Sequence, residues 1–283
     1  MGIPKRLLGK TGVEVSALGL GGVCWNLVDD DAEAVKIVHH AIDRGITYID
    51  TASGYKESER RLGLALKERD RDRLFIATKC IKRSGDEAKR EVAESFERLQ
   101  LETIDLMQLH AIDQDENPDE VLQDDGMLRI IEEYREAGKI RFVGMSGHMN
   151  PPVFVEMMEK YQFDTILNAL GPVTHVWNDF SQVTVPPARE RGMGIIAMKV
   201  MAYGQAPPEY RAPFLRYTMG LPIDVAIVGM DTVEQVEENV RAAEAFEPLS
   251  PEEEQDVLEK ALEIAQGDDR KDLWFLPEHR RTA

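Results

Sequence analysis

DAEAVKIVHHAIDRGITYIDTASGY, residues 31–55, passes from a helical period into a strand and ends on an acid and a phenol. Val35, Val38 and Ile42 share one helix face, Gly45 stops that helix, and TYIDTA follows from residue 47. A nearly continuous apolar run, unlike an alternating one, suits a strand buried on both faces of a parallel sheet. Asp50 stands where the run stops, and Tyr55 lies in the segment just beyond it.

The same alternation continues along the chain. Apolar runs recur as SALGLGG from 16, TYIDTA from 47, LFIATK from 74, IDLMQLH from 104, RFVGMSG from 141, DTILNAL from 164, GIIAMKV from 194 and DVAIVGM from 224, eight in all. Helical segments separate them. EVAESFERL sets Val92, Phe96 and Leu99 on one face, PPARERG opens on prolines and closes on Gly192, and TVEQVEENVRAA carries Val233, Val236, Val240 and Ala243 on one stripe. Repeated strand and helix predict βα units with right-handed crossovers. Eight units in 283 residues, with no Pro/Gly/Ser-rich linker, predict one α/β domain over residues 1–283, a closed (β/α)8 TIM barrel. Two additions decorate it. KRLLGKTGVEVSAL reads as an N-terminal β-hairpin with Thr11 and Gly12 in its turn. SPEEEQDVLEKALEIA reads as an extra C-terminal helix, with Ser250 as N-cap and Glu253 completing a capping box.

The net charge of −18, spread along the chain, repels phosphate backbones and argues against a nucleic-acid partner. A solvated acidic surface explains it, with adaptation to high salt as the other reading. The two cysteines, Cys24 and Cys80, lack the short spacing of a zinc or redox pair, so no metal is expected. With no signal-peptide h-region and no apolar run of membrane-spanning length, the expectation is a cytoplasmic protein with no membrane partner.

In such a barrel the C-terminal strand ends share one mouth. Asp50 ends the second run, Lys79 the third and His110 the fourth, while Tyr55 follows the second. Neighbouring strands about 5 Å apart bring these four within mutual reach. A phenol with an ordinary pKa of about 10 is a poor acid at neutral pH, and an ammonium beside it is expected to lower that value. Lys79 supplies the ammonium, Asp50 balances it, and His110 orients a carbonyl oxygen. Together they suit proton delivery to an oxygen that becomes an alkoxide, as carbonyl reduction requires.

At these residues the chain resembles the aldo-keto reductase superfamily. The likeness rests on DTASGY, SERRLGLAL, ATK and MQLH, continues through GKIRFVGMSG, ARERGMGIIAMK and VEENV, and spans roughly residues 5 to 245. It implies a (β/α)8 fold, NADP or NAD bound without a Rossmann domain, and a catalytic tetrad of Asp50, Tyr55, Lys79 and His110 with Tyr55 as proton donor. No G-x-G-x-x-G fingerprint is present, and LGLGG at 18–22 reads as a strand-end turn.

For the cofactor, the resemblance implies Ser146 at the nicotinamide carboxamide, although the Asn that usually follows is Gly147 here. Asp50 belongs to both the catalytic and the cofactor sets. The strand-six amide falls at Leu167, with Asn168 beside it as the candidate. Met198 stands where relatives stack an aromatic ring, and Lys199 is placed to meet a pyrophosphate. Gly229, Met230 and Gln235 occupy positions where NADP-preferring relatives carry Lys, Ser and Arg, while Asn239 remains for the adenine. The preference between NADP and NAD is therefore left open. Trp25, Trp177, Tyr203 and Trp274 are candidate substrate-pocket walls, beside Tyr55 and His110 in the pocket itself. The acidic loop AIDQDENPDEVLQDDG disfavours anions, so the expected partner is a small neutral aldehyde or ketone. A cofactor-binding, redox-sensing regulatory subunit with little turnover is the alternative.

Overall fold

The computed structural model describes residues 2–113, 117–176, 180–267 and 273. Each apolar run forms a strand. After an antiparallel hairpin of β1 (Lys5–Leu7) and β2 (Glu14–Ser16) come β3 (Leu18–Gly21), β4 (Tyr48–Asp50), β5 (Phe75–Cys80) and β6 (Ile104–Leu109). Then follow β7 (Ile140–Gly147), β8 (Thr165–Ala169), β9 (Gly194–Met198) and β10 (Val225–Gly229). β3 to β10 pair in parallel with their neighbours and close into a barrel, β10 lying between β9 and β3. This is a (β/α)8 TIM barrel with an added N-terminal two-stranded sheet.

The crossovers supply the outer layer. They are α1 (Asp31–Asp43), α2 (Ser58–Leu66), α3 (Gly85–Leu99), α4 (Pro118–Val121) with α5 (Met127–Glu136), and α6 (Pro151–Lys160). α7 (Pro172–His175), α8 (Phe180–Val183) and α9 (Val185–Glu190) share one crossover, and α10 (Pro208–Gly220) and α11 (Val233–Glu244) complete the ring. Each helix buries one stripe on the strands, as with Ile37, Val38 and Ala41 of α1 and Val92 and Leu99 of α3. α12 (Pro251–Gln266) starts on the predicted capping box, Ser250 with Glu253, and packs Val257, Ala261 and Ala265 against Phe214 and Tyr217 of α10.

Inside the barrel, strand alternation sorts the side chains by height. The lower layer is apolar: Tyr48, Phe75, Leu106, Leu167, Ile196 and Val225 pack together, with Tyr48 and Phe75 stacked at 5.3 Å. The hairpin loop closes the floor. Leu8 plugs into that cluster, and Gly9 behind it has φ +47° and lies so close to β9 that a Cβ would come within 2.2 Å of the Gly194 nitrogen. Higher up, the interior becomes polar on the side of β4, β5 and β6, with Asp50 above Tyr48, Lys79 above Ala77 and Gln108 above Leu106, while Met198 and Ile227 keep it apolar on β9 and β10. That change of character begins the site.

Candidate active site

Asp50, Lys79 and Gln108 come from three adjacent strands and meet inside the barrel. The Lys79 ammonium donates to Asp50 Oδ1 and, at 2.7 Å, to the Thr51 carbonyl. Gln108 Nε2 donates to Asp50 Oδ2 at 3.1 Å, so both carboxylate oxygens are engaged. Asp50 is 4% exposed and Lys79 1% exposed. Above them lies Tyr55, half-buried, with Lys79 Nζ 4.8 Å from its ring centroid. His110 closes the group edge-on to Tyr55, ring centroids 5.7 Å apart. The four predicted residues are thus brought together at one mouth.

Burial and charge set the protonation states. Burial alone would depress Lys79, but the Asp50 carboxylate and the Tyr55 phenol outweigh it and hold the amine above the ordinary lysine value. Burial raises the Asp50 carboxyl, with Lys79 and Gln108 opposing. For Tyr55 the sequence expectation is corrected: burial raises the phenol, and the Lys79 ammonium opposes the rise without reversing it. Desolvation wins because the ring lies among protein groups. His110 is driven well below its usual range by burial and then by Lys79, so its imidazole is neutral at pH 7. Its buried Nδ1 meets no hydrogen-bond partner among the described residues.

The remaining expectations divide. Ser146 is buried at the end of β7, its hydroxyl 3.3 Å from the Leu109 carbonyl. Gly147 admits no side chain, since a Cβ there would lie 2.2 Å from the Ile112 oxygen and 2.6 Å from Phe154. Asn168 is a correction: it points outward, its Oδ1 accepting from Thr184 at 2.9 Å, while Leu167 takes the interior. Adjacent strand residues face opposite sides, and here the amide falls on the helix side. Trp25 is a second correction, because it is fully buried in the outer core instead of walling the mouth. Trp177 and Trp274 lie outside the described residues.

Met198 is half-buried at the top of the interior cluster. Lys199 follows with φ +63° and sets its amine 4.8 Å from the ring centroid of Tyr203, itself exposed. Gly229 is exposed, and Met230 is buried in the core. Gln235 turns its Oε1 back to the Asp231 amide at 3.0 Å, and Asn239 donates to the Gln235 carbonyl at 2.8 Å. Residues that the sequence did not single out also shape the mouth. Gln108 is one. Asp113 and His148 are others: Asp113 Oδ1 accepts from the His148 amide at 2.8 Å, tying the loop after β6 to the end of β7. No local spacing signals that contact.

A barrel with these side chains at its mouth defines a class of enzyme, and comparison with known proteins gives the same one. The family model for the Aldo/keto reductase family matches residues 17–215. The chain belongs to that family, and its kind is therefore an oxidoreductase. It is 28% identical over 298 residues to L-galactose dehydrogenase of Arabidopsis thaliana, covering 89% of this chain and 92% of that one. It is 32% identical over 162 residues to 6-dehydroglucose reductase of Novosphingobium aromaticivorans, covering 50% and 51%. Among solved structures, the holo form of aldo-keto reductase AKR11C1 from Bacillus halodurans superposes with a TM-score of 0.74 at 28% identity, covering 92% of this chain and 96% of that one. Among the described residues no helix is long and apolar enough to cross a membrane.

Proposed function

We propose that the protein is a cytoplasmic NAD(P)H-dependent reductase of aldehydes and ketones in which Tyr55 donates the proton. The observation that carries this reading is the buried Asp50–Lys79 pair beneath the half-buried phenol. A phenol held above its ordinary value is protonated at neutral pH and so carries the proton to be delivered. Lys79 stabilises the phenolate left behind, and Asp50 keeps Lys79 charged and aimed. His110, being neutral, holds the carbonyl oxygen by a hydrogen bond.

The bound nicotinamide supplies the hydride. The donor set fits a dinucleotide: the Ser146 hydroxyl for the carboxamide, Met198 for the ring face, Lys199 for the pyrophosphate, and Gly229, Gln235 and Asn239 along the adenosine end. Asn168 drops out of that set. Among the described residues, Gly229, Met230 and Gln235 occupy the positions after β10 where a cation would grip a 2′-phosphate, which supports use of either NADPH or NADH. Small neutral carbonyl compounds remain the substrate class, and the names of two relatives add sugars to it. The regulatory-subunit alternative draws no support from relatives named for reactions.

Fluorescence titration with NADPH and NADH, followed by turnover of a panel of aldehydes, tests the reading. Tyr55→Phe is expected to bind cofactor normally and lose about two orders of magnitude or more in rate. Near-full activity in that variant removes Tyr55 from the chemistry.

A further inference from the structure

The loop that carries Tyr55 is held from a helix that takes no part in the chemistry just described. Glu91, on α3, reaches back over the C-terminal end of β5. Its Oε1 accepts from the Ser53 hydroxyl at 2.8 Å. Its Oε2 accepts from the Cys80 thiol at 2.8 Å and from the Ile81 and Lys82 amides at 2.8 and 2.9 Å. One carboxylate therefore joins two segments: the loop after β4 and the loop after β5.

Both segments bear the proposed proton-transfer groups. Ser53 is two residues before Tyr55, and its amide also donates to the Lys79 carbonyl at 3.2 Å. The Tyr55 amide closes a turn onto the Ala52 carbonyl at 3.0 Å, so displacement of Ser53 carries the phenol with it. Cys80 follows Lys79 directly. Amides just past a strand end have lost their ladder partners, and four neutral donors converging on one carboxylate satisfy them together. Those donors also hold the Glu91 carboxyl below the ordinary range against the opposing effect of burial. It stays ionised, and the clamp stays closed, across the neutral range.

We propose that Glu91 is a positioning residue, whose carboxylate clamps the Tyr55 loop to the Lys79 strand end and so fixes the phenol over the ammonium. The proposal rests on the reading of Tyr55 as proton donor, and it concerns placement, not contact with substrate. Small displacements of a reacting group are costly; about 1 Å is worth on the order of a hundredfold in rate. Glu91→Gln keeps the size of the side chain but removes the charge, and its amide nitrogen accepts nothing.

The test uses the full chain with ring-labelled tyrosine, observed by NMR, the Tyr55 signal being assigned by its loss in Tyr55→Phe. Glu91→Gln is expected to shift or broaden the Tyr55 signal more than those of the other tyrosines. It is also expected to slow single-turnover hydride transfer from saturating NADPH about tenfold or more, with NADPH affinity within about twofold of wild type. Ser53→Ala cuts only the tether to the Tyr55 loop, so its loss is smaller and disappears in the Glu91→Gln background. An unmoved Tyr55 signal in Glu91→Gln, or losses that multiply in the double variant, overturns the proposal. Should Glu91→Gln fail to fold, the Tyr55 signal in Ser53→Ala decides. Wild-type transfer by Tyr55→Phe contradicts the proton-donor reading instead, and the NMR comparison still judges the clamp.

Discussion

Burial shifts the protonation of both Lys199 and His148. Burial and then the Lys79 ammonium bring Lys199 down to about 8, with Asp113 opposing. If the amine meets a pyrophosphate, NADH prefers its protonated form. Affinity is then flat below about pH 8 and weakens by up to about tenfold per unit above it. Titration of NADH across that range should show the fall in wild type and its absence in Lys199→Met. His148 is driven by burial to about 4; the Asp113 carboxylate opposes the fall, and the Lys199 and Lys79 ammonium groups add to it. A base lowered by folding takes its proton first in the unfolded chain. Its contribution is therefore intact above about pH 6.5 and is lost as the pH falls towards 4, by up to about 3 kcal/mol. His110 shifts in the same direction, so the informative comparison is between proteins. His148→Gln should show a flatter decline in urea stability across that window, and an equal decline in both would contradict the assignment.

Among the elements, the hairpin makes the sharpest claim. Gly9 and Gly12 both have positive φ, but a Cβ at Gly12 meets open space, whereas one at Gly9 strikes the backbone of Gly194. Gly12→Ala should cost about 1 kcal/mol, the price of a left-handed residue. Gly9→Ala adds a collision of the overpacking kind and should cost at least about 1 to 3 kcal/mol more. Urea midpoints for the two variants measure the difference, and equal costs would show that the floor gives way. The strands themselves were legible in the sequence because both their faces are buried, which writes them as nearly continuous apolar runs between Gly-, Asp- and Ser-bearing turns. Asp50, Lys79 and His110 were legible for a related reason: each is a polar residue that ends such a run. Orientation was harder to read. A run buried on both faces carries no clear parity signal, so nothing in DTILNAL says that Asn168 faces Thr184. Trp25 likewise follows a strand end, and only the packing around it decides that it turns into the core. Glu91 and the Asp113–His148 pair were invisible, because acids on helices and loops read as solvated until tertiary structure brings them their donors.

For the whole molecule, a net charge of −18 surrounds a mouth that, on the proposed function, takes an anionic cofactor, so on that reading the cations near the mouth carry unusual weight. With Gln235, the residue at the position where relatives carry Arg, folded onto the Asp231 amide, discrimination between NADPH and NADH should be modest. Gln235→Arg should tilt it towards NADPH by about 1 to 3 kcal/mol, the scale of a hydrogen bond to a charged group. Paired dissociation constants at one ionic strength measure that tilt, and a thousandfold NADPH preference in the unmodified protein would place another basic group at the phosphate. The central claim, that this barrel reduces carbonyl compounds with Tyr55 as acid, is tested most directly by deuterium transfer. Wild type and Tyr55→Phe, each saturated with NADPH deuterated at the transferring position, are mixed with an aldehyde and the alcohol is analysed by mass. The account predicts one deuterium in the wild-type product and at most about a hundredth of that yield from Tyr55→Phe in the same time. Cofactor binding without deuterated alcohol in wild type, or equal yields from the two proteins, would contradict it.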